Sequence, residues 1–140
     1  MKLLTKYIVA IIFSLGISNL SVAQQNHKKA KQIEDIKFGY IAGRLNLTGE
    51  ESQAFWPLYK EYQSEWSQII RQKKQSRLNN ASNPEKAIDA DFLYDGKLLE
   101  LRKKYRIAFG EVLPPEKLKA LYQAERSFRE ELIKQLKNRP

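Results

Sequence analysis

The chain has 140 residues, no cysteine, one histidine and a formal charge of +9. That length suits one domain, and the missing cysteines exclude disulfides and the usual Cys/His zinc sites, so a core must hold the fold without them. His27 stands alone in a polar lead-in beside Lys28 and Lys29, which is no basis for a metal centre.

Residues 1–23 read as a secretion signal cleaved after Ala23. Lys2 and Lys6 form a charged start, Tyr7 to Ile17 is largely apolar, and Ser21-Val22-Ala23 supplies the small residues of a cleavage site. The apolar run is shorter than the ~20 residues a membrane span needs. No cysteine follows it, which excludes a lipid-anchored lipoprotein. Cleavage takes the formal charge from +9 to +7, because Lys2 and Lys6 leave and no acid does. The expected location is the periplasm. There, basic charge points to acidic protein segments, membrane surface or envelope polymers, or to a solvated face that keeps the chain soluble.

Residues 24–30 are polar and basic without apolar periodicity and read as a disordered arm. From there a single α-helical domain is expected over 31–138. Ile33, Ile36, Tyr40, Ile41 and Leu45 recur at helical spacing, so a first helix runs to about Asn46. Thr48 is the N-cap of the second: its hydroxyl can accept from the Glu51 N–H while the Glu51 carboxylate reaches back. Phe55, Tyr59, Tyr62 and Trp66 then form a core stripe in steps of four and three. The second helix is expected over 49–77, about 43 Å at 1.5 Å per residue. Pro57 falls inside it and predicts a bend.

Asn79 to Pro84 is turn chemistry, with Asn83 as cap and Pro84 as first helical residue. The third helix, 85–110, carries Ile88, Phe92, Leu98 or Leu99, Tyr105 and Phe109 as its stripe. Its acids, Asp89, Asp91 and Asp95, precede its bases, Arg102, Lys103, Lys104 and Arg106, as the helix dipole favours. Leu113-Pro114-Pro115-Glu116 breaks that helix and starts a fourth, to about Leu136. The pattern predicts an all-α fold of four helices, drawn out as an elongated bent hairpin.

No constellation for catalysis is visible. The paired carboxylates, Glu50/Glu51, Asp89/Asp91 and Glu130/Glu131, lie in first turns or on solvent faces, with no histidine or cysteine to tune them. The sequence predicts no enzyme, no cofactor, no metal and no small-molecule substrate; nucleic acid is not an expected partner of an exported chain. Protein binding is the function class that remains. The surface expected to serve it comprises Trp56, off the main stripe, and the basic residues Arg71, Lys74, Arg77, Arg102, Lys103 and Arg106. Tyr40 and Tyr94 are further aromatic candidates. Solvated faces are the plainer reading of the same charges.

The stretch Leu47-Thr48-Gly49-Glu50-Glu51 followed by Phe55-Trp56-Pro57-Leu58-Tyr59 resembles the LTXXQ-motif periplasmic family, the Spy/CpxP-like group. It is closer to the Bacteroidetes variant described as "sensor of ECF-type sigma factor". Leu47, Thr48 and Glu51 occupy the motif positions, with Glu51 where the motif has glutamine. Leu113-Pro114-Pro115-Glu116-Lys117 stands as a second copy that keeps the leucine and the helix start. The resemblance implies a cradle-like homodimer in the envelope stress response. It also implies a membrane-bound regulator or unfolded proteins as partners, the protein being either a sensor/regulator or an ATP-independent chaperone. A basic structural accessory of the envelope surface is the remaining alternative.

Overall fold

The computed structural model describes residues 18–138. Among them lie four helices and no strand: α1 (Ser18–Leu45), α2 (Gly49–Asn79), α3 (Pro84–Val112) and α4 (Pro115–Lys137). The fold is all-α. The helical chain divides between Gly43 and Arg44 into two compact units, a boundary inside the 31–138 region read as one domain. Most of the expected secretion signal, residues 1–17, lies outside the described residues.

α1 begins well before Lys31. Residues 24–30, expected as a disordered arm, are helical. The segment contains no glycine or proline, and its two glutamines, two lysines and Ala30 favour helix even where nothing apolar is buried. Its stripe is only partly used. Ile33 and Ile36 are exposed, whereas Ile41 and Leu45 are buried. The helix stops at Asn46, whose φ of 44° lies in the left-handed region that asparagine tolerates better than most residues.

The next three helices start where the sequence punctuates them. α2 starts at Thr48 with a complete capping box and continues through Pro57, which is exposed. α3 starts at Asn83, whose Oδ1 accepts from the Lys86 N–H at 3.1 Å, and Pro84 needs no hydrogen bond at the first helical position. α4 follows Pro114, which offers no side-chain cap.

Side-chain pairs fix the register of these helices. Along α2 from Tyr62 through Glu65 and Lys73 to Arg77, the partners on α3 descend from Tyr105 through Lys104 and Asp95 to Asp91. The two helices are therefore antiparallel. α4 runs parallel to α2, since Glu51–Lys117 and Tyr59–Glu125 share an offset of 66 residues. α4 also touches α3, where the Arg102 guanidinium lies 5.6 Å from the centre of the Tyr122 ring.

The core of this second unit is aromatic and sits at one end of the α2–α3 pair. Phe55, Tyr59, Tyr62, Tyr105 and Phe109 are buried with Leu101, Leu113, Leu121 and Ala124. Adjacent rings lie 5.2–6.2 Å apart, centre to centre, a range in which aromatic pairs add about 0.5–1.5 kcal/mol each beyond area burial. Among the described residues, none from 64 to 100 is buried.

Candidate protein-interaction site

The motif region is a junction of three segments. The Glu51 N–H donates to the Thr48 hydroxyl at 3.2 Å, and the Thr48 N–H donates to Glu51 Oε2 at 2.8 Å. Lys117 Nζ, from the first turn of α4, donates to the same Oε2 at 2.5 Å and to the Asn46 carbonyl at 2.8 Å. One ammonium thus joins the end of α1, the start of α2 and the start of α4. Lys117 belongs to the second motif copy, so the two copies meet in space. The Lys117 and Thr48 hydrogen bonds hold the Glu51 carboxyl below the ordinary glutamate range. Leu47 beside them is half-buried.

The stripe that follows is buried at Phe55, Tyr59 and Tyr62. Burial pushes the Tyr59 and Tyr62 hydroxyls far above the usual tyrosine range. The Tyr59 hydroxyl donates to Glu125 Oε1 at 3.1 Å, and Gln63 Nε2 donates to the same oxygen at 3.3 Å. Trp66, expected in the core, is only half-buried. It lies one turn beyond Tyr62, edge-on at 5.9 Å, past the last buried position of α2. Trp56, expected as a surface residue, is half-buried instead. Its ring meets Phe55 at 5.0 Å and Tyr59 at 5.8 Å, so much of it backs the aromatic core. Tyr40 and Tyr94 are likewise half-buried.

The expected basic surface is partly neutralised within the chain. Arg77 grips Asp91 through two nitrogens, at 2.8 and 3.2 Å, and Lys73 pairs with Asp95. The antiparallel register brings the acidic half of α3 beside the basic end of α2, a relation that dipole reasoning on separate helices does not contain. Lys104 pairs with Glu65 at 2.8 Å, and both Lys104 and Tyr105 hold the Glu65 carboxyl below its usual range. Lys103 pairs with Glu100 one turn away. Arg102 is half-buried over Tyr122, while Arg71, Lys74 and Arg106 are exposed.

The outer halves of α2 and α3 carry an apolar surface that the sequence reading places in the core. Ile88 and Phe92, assigned there to the buried stripe of the third helix, are 56% and 73% exposed. The buried stripe of α3 is Leu101, Tyr105 and Phe109 instead, and Phe92 lines an open groove that it shares with Glu65 and Ile69 of α2. Leu93, Leu99, Ile70 and Leu78 are exposed as well. An open groove of about 740 Å³ runs here, with Ile69, Leu93 and Gly96 along it and Lys97, Lys104 and Glu100 at its rim. The four- and seven-residue steps from Ile88 to Phe92 and Leu99 were the signal in the sequence: they outline a second stripe on a helix already supplied with one.

Among the described residues, no group of three or more histidine, aspartate or glutamate side chains could hold a metal ion, and no helix is long and apolar enough to cross a membrane. The arrangement offers apolar contact framed by charge. Comparison with family models, curated proteins and solved structures returns no match for the chain.

Proposed function

We propose that the protein is an exported, periplasmic envelope-stress protein that acts by binding other proteins, as a sensor or regulator linked to an extracytoplasmic-function sigma factor. The observation that carries protein binding is the outer part of the α2–α3 pair, where no residue from 64 to 100 is buried and six large apolar side chains lie exposed. Phe92 and Leu93 line one groove with Ile69, and an exposed apolar patch of adjoining side chains marks an interaction site more often than a solvated face. The motif resemblance at Leu47, Thr48 and Glu51 supports the envelope setting and the regulatory role.

An ATP-independent chaperone is the second reading. It is favoured by the charged rim around the apolar groove at Ile69, Leu93 and Gly96, since charge speeds encounter and apolar contact holds the captured chain. Two measurements separate the readings. A regulator should co-purify with the protein from envelope fractions and be lost with Phe92→Ser/Leu93→Ser. A chaperone should suppress thermal aggregation of a model client at stoichiometric amounts, with the same double variant impaired. If the purified protein neither retains a regulator nor changes client aggregation, both readings fall and a structural envelope accessory takes their place.

A further inference from the structure

The cations of the second unit fall into two groups. Lys73, Arg77, Lys103, Lys104 and Lys117 each meet a carboxylate of the chain. Arg106 of α3 and Arg129 of α4 meet none among the described residues. Arg102 lies over the Tyr122 ring instead, its guanidinium carbon 5.6 Å from the ring centre. These three arginines surround two neighbouring tyrosines. Burial and the Glu125 carboxylate push the Tyr122 hydroxyl up, and Arg102 and Arg106 draw it back. Burial raises Tyr62 as well, and there Arg102 and Arg129 oppose it. The acid among them, Glu125, stands one turn before Arg129, but its Oε1 already accepts from Tyr59 and Gln63. The Tyr122 hydroxyl is buried at the same place and, alone among the buried side-chain polar atoms of the described residues, has no hydrogen-bond partner. Three cations, one engaged acid and an orphaned donor lack the same thing, an acceptor with several charged oxygens.

We infer that the α3–α4 face at Arg102, Arg106, Tyr122 and Arg129 is a binding site for the phosphate group of a phosphomonoester. Such a group carries about −1.5 to −2 charge near neutral pH on three free oxygens. It can answer several guanidinium groups at once, where a carboxylate brings one charge and two oxygens. Arginine suits it, because the planar fork donates two parallel bonds to one phosphate. Contact with the Tyr122 ring holds Arg102 in place before a ligand arrives, while Arg106 and Arg129 are exposed and able to close on it. The site shares no residue with the apolar groove between α2 and α3 and does not rest on the protein binding proposed there. Soluble phosphorylated sugars and phosphomonoester lipid headgroups both present this chemistry.

Thermal unfolding at constant ionic strength tests this, with inorganic phosphate or glucose 1-phosphate replacing chloride. Each should raise the melting temperature of the wild type in a saturable way, by mass action. Arg106→Gln, Arg129→Gln and Tyr122→Phe should each shift the phosphate dependence to roughly tenfold higher concentration. Arg71→Gln, at an exposed position on the outer half of α2, should leave it unchanged. Vesicles distinguish the sources. Sedimentation with phosphatidylcholine vesicles that contain phosphatidic acid, competed by inorganic phosphate and lost in Arg129→Gln, assigns the headgroup. A melting shift without vesicle binding assigns a soluble phosphomonoester. A wild type that phosphate stabilises no more than chloride does overturns the site. So does a shift that the three variants leave untouched, which is a diffuse ionic effect. Tighter binding of poly-glutamate through the same arginines would overturn the phosphate assignment in favour of an acidic peptide.

Discussion

Lys117 and Glu51 join two helix starts that lie 66 residues apart in the chain. Lys117→Met should destabilise the protein more than Thr48→Ala, because it removes contacts to both Glu51 and the Asn46 carbonyl. Thr48→Ala should cost about 1 kcal/mol, the usual worth of an N-cap side chain. A double-mutant cycle between Glu51→Gln and Lys117→Met, read by urea unfolding, should show positive coupling. Additive losses would mean that the ammonium serves the carbonyl alone.

The same contacts set a pH dependence. The folded pKa values of Glu51, Glu65 and Asp91 are all lowered, the first two from 4.5 and the third from 3.8. Below its unfolded pKa each group binds a proton more readily in the unfolded chain. Its stabilising contribution is therefore present above that value and lost as pH falls through the lower, folded value. Stability should be flat near neutrality and decline from about pH 4.5 downward. In Lys117→Met the Glu51 share of that decline shrinks to what the Thr48 hydrogen bonds supply, so the gap to wild type should narrow in acid. A gap that widens in acid would contradict the assignment.

Core and surface aromatics should separate in stability measurements. Phe55→Ala and Phe109→Ala each empty a site that is at most 1% exposed and should cost about 3–5 kcal/mol. Trp66→Ala should cost clearly less, since the ring is half-buried and meets the Tyr62 ring only edge-on. Phe92→Ser should be nearly silent in unfolding while altering partner binding. A loss for Phe92→Ser equal to that for Phe55→Ala would place the outer face in the core.

Tyr122 offers a prediction of the opposite sign. Its hydroxyl is buried without a hydrogen-bond partner, and burial shifts its ionisation upward. Removing an unsatisfied buried hydroxyl relieves a desolvation cost of ~1–3 kcal/mol. Tyr122→Phe should thus leave thermal stability unchanged or raise it. A marked loss would reveal a bound water or an alternative partner for the hydroxyl.

Local chemistry made the helices legible. Thr48 with Glu51, Asn83 with Pro84, and Pro114 with Pro115 mark their starts without reference to any distant residue. The reach of α1 back to Ser18 was not legible, because an exposed helix needs no apolar period. Nor was the pairing of Arg77 with Asp91 or of Lys73 with Asp95, since both depend on the antiparallel register of two helices. Burial was hardest. Periodicity finds an apolar stripe but not where the third helix stops covering it, and so Trp66, Ile88 and Phe92 were assigned to a core that ends short of them. Glu125 shows the converse. Its spacing from Arg129 suggests a surface pair, yet its carboxylate accepts from the buried Tyr59 and Gln63.

Both tryptophans of the chain, Trp56 and Trp66, flank the buried tyrosines of α2. The protein thereby carries its own optical reporter, confined to one region. Intrinsic fluorescence should follow melting of the aromatic cluster, whereas fraying of the α2–α3 turn around Asn80 should pass almost unseen. A label placed near that turn, at Ser82, would complete the pair and let the two ends of the helices be watched independently.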